Sequence, residues 1–208
     1  MLAEGRLVRL LSCAAMVLVS GGSLTPKPRR ASPSSSRGLY DLGVTQFSPE
    51  GRLLQVEYAA LAVENSEPAL VVVIEPCSDH AGAIVMGAKV KARLPRSLRE
   101  GSFTKLHKLD VHAACAVAGI GPDASALVKR GREAAARHRL TWGEPCPVSL
   151  LAKTIANQVQ AYTQYGGRRP FGVTLVVCGW EEGGFQVYTI DPTGNVAVAF
   201  AGGGELVP

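Results

Sequence analysis

The sequence contains no Cys-x-x-Cys pair, and its five cysteines (Cys13, Cys77, Cys115, Cys146 and Cys178) are odd in number and scattered. A disulfide framework or a zinc ribbon needs paired, closely spaced cysteines, so reduced and mostly buried thiols are expected instead. His112 and Cys115 have the spacing of metal ligands, but a lone His-x-x-Cys inside an apolar run reads as core, and no metal is expected. No basic footprint exists in the body of the chain either. The net charge is +5, yet six basic side chains and a single acid fall within residues 1–38, leaving 16 of each sign in 39–208. A nucleic-acid partner is therefore not expected. The apolar run Leu10–Val19 is too short to span a bilayer, so no membrane is expected.

What the sequence does hold is a chain of 208 residues, 47% of them hydrophobic, enough for one domain with a sizeable core. Its first 38 residues read separately. Arg6 and Arg9 precede the apolar run, and Ser-Gly-Gly-Ser follows at 20–23, a sketch of a secretory signal peptide. The stretch TPKPRRASPSSSRG after it is rich in Pro, Ser and Arg and has nothing to bury. Residues 1–38 are thus expected to be disordered, either as a leader or as a non-native upstream extension. The second reading is preferred, and 39–208 is taken as the domain.

Short apolar runs of high β-branched content mark strands at 69–74, 81–88 and 112–120, with an alternating KLHKLD at 105–110. Pro122 opens a helix whose inner face draws on Ala124, Leu127, Val128, Ala135 and Leu140. Pro147 opens a second, where Val148, Leu151, Ile155, Val159 and Tyr162 recur at three- and four-residue steps. GGRRPFG breaks it. Strands at 173–180, 185–190 and 196–201 follow, joined by EEGG and DPTGN turns. Strands grouped along the chain, with two long helices between the groups, indicate α+β with antiparallel sheets.

The segment GVTQFSPEGRLLQVEYAALAV precedes all of this. Ser48 reads as an N-cap, Pro49 as a first helical position and Glu50 as a first-turn acid, opening a Gly-interrupted helix with a mixed face.

YDLGVTQFSPEGRLLQVEYAALAV resembles the N-terminal signature of proteasome α-type subunits. KLHKLDVHAACAVAGIGPDASAL, YTQYGGRRPFGV and GWEEGGFQVYTIDPTGN continue the resemblance over about residues 40–195, leaning toward the type-4 branch. The resemblance implies a four-layer αββα sandwich, the N-terminal-nucleophile hydrolase fold. It implies a non-catalytic place in a heptameric α ring of the 20S core, in the cytoplasm and nucleus. Partners would be other α-type subunits, β-type subunits and regulatory activator particles, with no cofactor. Targeting by residues 1–38 to a secretory or organellar site is the alternative location.

Residue by residue, the resemblance assigns Tyr40, Asp41, Pro49 and Tyr58 to the gate at the axial pore. Phe47, Ser48, Gly51, Arg52, Gln55 and Glu57 fall to the subunit interface, and Lys105 to a pocket that takes an activator's C-terminal carboxylate. Catalytic relatives use an N-terminal threonine. That place falls at about Glu67 here, no threonine lies between Thr45 and Thr104, and the family's aspartate place falls near Lys89. Two other readings stay open, an active threonine-type hydrolase and a divergent or fragmentary paralogue that does not assemble.

Three departures from the family pattern bear on these expectations. Ser66-Glu67-Pro68 stands where the family has a Gly-Ser/Thr pair. Residues 75–104 match in length and flanks alone. The chain also stops at AGGGELVP, short of the helices and strands that close the sandwich in the family.

Overall fold

The computed structural model describes residues 14–19, 43–76, 82–89, 104–181 and 184–201. Two antiparallel sheets stack face to face. The smaller runs in the order β1 (Ala14–Val19), β2 (Ala69–Ile74), β3 (Ala83–Ala88). The larger holds β4 (Leu106–Lys108), β5 (Ala113–Gly119), β6 (Val173–Glu181), β7 (Gly184–Ile190) and β8 (Val196–Ala201), paired in chain order. β5 and β6 are joined through two helices, whereas paired strands with no helix between them, such as β7 and β8, need only short connections. That is what the turn residues around Asp191 supply, where the Gly194 amide donates to the Asp191 carbonyl at 2.9 Å.

Alternation decides which side chains fill the space between the sheets. Ala69, Val71 and Val73 of β2 point inward against Ala116, Ala118, Val176, Val187 and Phe200. The opposite face of the larger sheet is covered by α2 (Gly121–Trp142) and α3 (Val148–Gln164). Val148, Leu151, Ile155 and Val159 lie along one stripe of α3 and are fully buried. Burial of each contributes about 1.5–3 kcal/mol. Leu140, expected on the inner face of α2, is 88% exposed. The last buried residue of that helix is Ala135, so its last two turns run past the core.

At the end of β5 the main chain touches the neighbouring strand too closely for any side chain. A Cβ on Gly119 would sit 2.2 Å from the Gly172 carbonyl oxygen, and its φ of +129° is one that few L-residues adopt. The Ile120 amide donates to that same carbonyl at 2.9 Å, which turns the chain from β5 into α2.

The α+β class and the antiparallel sheets agree with the sequence reading. Helix pair, large sheet and small sheet make three layers, and no helix among the described residues covers the outer face of the small sheet. The expectation of disorder throughout 1–38 does not hold at Ala14–Val19. That segment pairs with β2 from Ala14–Ile74 to Val19–Ala69. Its apolar residues suit a strand, and β2 presents an edge whose N–H and C=O groups need partners.

Candidate functional site

The signature segment folds first as a turn and then as a helix. The Gly51 amide donates to the Ser48 carbonyl at 2.8 Å and the Ser48 amide to the Arg52 carbonyl at 2.9 Å. Gly51 takes a φ of +76°, the left-handed region that closes such a turn with least strain in glycine. Ser48 is buried, and its hydroxyl accepts from the Arg52 amide at 3.2 Å. A second bond from Ser48 holds the Glu50 carboxyl below its usual range, ahead of the contribution of nearby Arg52.

Ser48 is therefore a turn residue and not a helix cap. The helix α1 spans Leu54–Glu64, with Leu53 at its N-cap and no side-chain cap. The correction follows from Gly51. A left-handed residue cannot continue a helix, so the cap-like chemistry is spent within the turn and helical hydrogen bonding begins three residues later. Arg52 grips the first-turn acid Glu57 through two bonds of 2.5 Å, which joins turn to helix.

On α1, Ala59 and Val63 are buried, and the helix packs on β5 and β6. Tyr58 is 40% exposed, Phe47 just before the turn 63%, and Pro49, Gly51 and Arg52 are exposed as well; Gln55 is half-buried. The segment thus anchors one side on the sandwich and presents the other to solvent. Tyr40 and Asp41 lie outside the described residues.

Where α1 runs into β2, three residues singled out in the sequence converge. The Lys105 ammonium donates to the Glu67 main-chain carbonyl at 2.6 Å. Lys89 Nζ lies 3.2 Å from Glu67 Oε2. The Lys89 amide donates to the Pro68 carbonyl at 3.1 Å, which extends the β2–β3 ladder by one bond and sets Lys89 beside Glu67. Lys105 gains its place in the same way, from the Val117 amide, which donates to the Lys105 carbonyl at 2.9 Å just before β4. Lys105 is half-buried and Lys89 exposed. Two cations thus meet one short stretch of chain whose own negative groups, a carbonyl and a carboxylate, face them.

Several contacts that fix the scaffold were not legible in the sequence. Asp123, 7% exposed at the start of α2, accepts two bonds from the Arg169 guanidinium at 2.6 and 2.7 Å, and one from the Gly172 amide at 3.2 Å. Burial pushes the Asp123 carboxyl up, but the Arg169 fork and the Gly172 amide outweigh it and hold the group below its usual value. The α3 N-terminus has no cap of its own. Glu181 at the end of β6 accepts from the Val148 amide, and from the Ser149 amide at 3.2 Å. An acid in a Gly-rich turn was the available signal for Glu181, and Arg169 in GGRRPFG that for the clamp. In neither case does spacing tell which partner is met.

Cys115, Cys146 and Cys178 are free and buried. Burial raises the Cys115 thiol to about 12 and that of Cys178 to about 11, which keeps both protonated and unreactive. Cys13 and Cys77 lie outside the described residues. The His112 ring bonds to the Cys146 carbonyl at 2.7 Å, while Cys115 points into the core between the large sheet and the helices.

Comparison with known proteins adds two matches to families. Residues 79–205 match the model of the proteasome subunit domain, and residues 40–62 that of the N-terminal signature of A-type proteasome subunits. Proteasome subunit alpha type-4-1 of Oryza sativa subsp. indica is 45% identical over 158 residues, covering 75% of this chain and 60% of that one. Proteasome subunit alpha type-4 of Spinacia oleracea is 42% identical over the same shares, and so is alpha type-4-A of Arabidopsis thaliana. The chain spans 60% of the length of these relatives.

Proposed function

The chain belongs to the proteasome subunit family, and from that premise we propose that it is a non-catalytic, structural subunit of the α ring of a 20S core. In ubiquitin-dependent protein degradation it would help gate substrate entry and dock activator particles, in the cytoplasm and nucleus. The observation that carries the reading is the Glu67 junction. Hydrolysis of the threonine type needs a hydroxyl nucleophile and a free amine to take its proton. Glu67 has no hydroxyl, its nitrogen is acylated in the peptide bond to Ser66, and its carbonyl and carboxylate are both engaged by lysines.

The signature supports an interface role for the other side of the site. Phe47, just before the Ser48–Arg52 turn, and Tyr58 and Leu61 on the outer side of α1 are each at least 36% exposed. Apolar and aromatic side chains presented from a rigid turn and helix suit a neighbouring subunit or the chain tails at a pore. Pro49, Gly51, Arg52, Gln55 and Glu57 would share that surface. Lys105 is proposed to take the terminal carboxylate of an activator, since a half-desolvated ammonium binds a carboxylate by a charge-assisted hydrogen bond.

Purified full-length chain, incubated with fluorogenic peptides and a threonine-directed covalent inhibitor, tests the non-catalytic part. No turnover and no inhibitor adduct are expected. Inhibitor-sensitive turnover would establish the hydrolase reading instead.

A further inference from the structure

The geometry points to Glu67 as a tethered competitor for the carboxylate that the same site is proposed to dock. An incoming C-terminal carboxylate is drawn to Lys105 and to any second cation beside it. Lys89 is that second cation, and Glu67 Oε2 already lies 3.2 Å from its Nζ. Docking would then be an exchange, in which the ligand's carboxylate replaces the side chain of Glu67 on Lys89 and that side chain swings out to solvent.

The parts are arranged for such an exchange. The backbone on both sides is fixed. Glu67 precedes Pro68, which confines it to extended conformations, and its carbonyl is held by Lys105 at 2.6 Å. The Lys89 main chain is fixed by the hydrogen bond that its N–H donates to the Pro68 carbonyl at 3.1 Å. Only the two side chains remain to move. The lysine side chain is 70% exposed and that of Glu67 23%, so the ion pair sits at the surface, where screening keeps such pairs weak and exchangeable. The Glu67 carboxylate also repels a second carboxylate from the lysine pair. Glutamate in this place would thus lower the affinity of the subunit for carboxylate tails and make tail selection depend on contacts elsewhere in the ligand.

This inference rests on the docking reading, and one binding experiment separates the two. The probes are a short activator-type peptide ending in a free carboxylate and its C-terminal amide. Each is titrated by surface plasmon resonance onto rings carrying the full chain as wild type, Glu67→Gln or Lys105→Met. Glutamine keeps the size of the side chain and removes its charge, and recovery of intact rings by native gel checks assembly. Glu67→Gln is expected to tighten the carboxylate peptide roughly three- to tenfold and leave the amide peptide unchanged, with the gain largest at low salt. Lys105→Met is expected to abolish the preference for carboxylate over amide. Equal affinity of wild type and Glu67→Gln, with the Lys105 dependence intact, overturns the inference and leaves the docking reading standing. No carboxylate preference in any ring overturns both.

Discussion

Replacing Lys105 by alanine removes two things at once, the cation proposed to receive an activator's carboxylate and the donor that holds the Glu67 carbonyl at 2.6 Å. The ammonium is half-buried, between the screened surface and the dry interior. A hydrogen bond to a charged group is worth about 1.5–3 kcal/mol in such settings. The expected loss of tail affinity is therefore roughly ten- to a hundredfold. Lys105→Arg is expected to restore part of it, because a planar fork replaces a compact ammonium. Lys108→Ala is the control. The Lys108 side chain is exposed, and the contact that fixes this residue, its carbonyl accepting from Arg132 Nε at 2.8 Å, belongs to the main chain and survives truncation. Affinities for a tail peptide, measured on assembled rings at two salt concentrations, give the answer. Equal binding by wild type and Lys105→Ala refutes the docking role and leaves Lys105 as a brace for the α1–β2 junction.

The clamp between α2 and the loop before β6 gives a second prediction. Arg169→Ala leaves the buried Asp123 with the Gly172 amide alone. The side chain of Arg169 is 64% exposed, so the cost is placed at about 1–2 kcal/mol, or about 2–8 °C in Tm by circular dichroism at pH 7. Because the folded-state value of Asp123 is depressed, its contribution is present above the ordinary aspartate range and is lost as pH falls through the folded value. The difference between wild type and Arg169→Ala is therefore expected to shrink on acidification, and a gap that widens toward low pH contradicts the assignment. Cys115 and Cys178, with thiols raised by burial to about 12 and about 11, are expected to stay unlabelled by a thiol reagent at pH 8 until denaturant is added. Rapid native-state labelling mapped to either residue by mass spectrometry would show that the sandwich opens.

Most of the fold was legible where burial and periodicity act alone. Ala69–Ile74 is packed on its inner face and flanked by strands, so a run of β-branched residues was enough to place it. In α3, a stripe from Val148 to Val159 names both the helix and its buried side. The failures come where a competing term decides. Leu140 follows the helical period of α2, but periodicity carries no information on where the underlying sheet ends. Ser48 has cap chemistry, and the left-handed Gly51 diverts it into a turn. Ala14–Val19 resembles a leader by composition, yet an unpaired edge on β2 draws the same residues into a sheet.

The candidate site was legible in part. Alignment to the family pattern indicated Glu67, Lys89 and Lys105 separately. Their convergence depends on two ladder bonds, at Pro68 and at Val117, that no spacing rule encodes.

Native mass spectrometry of core particles shows whether this chain takes a place in an α ring. The full-length chain, tagged, is expressed with a complete set of proteasome α- and β-type subunits lacking type 4. Intact particles are expected, with the tagged chain in one position of each α ring and threonine-directed labelling confined to β-type subunits. Particles that form without it, or a covalent threonine adduct on the chain itself, would rule out a non-catalytic place in the α ring.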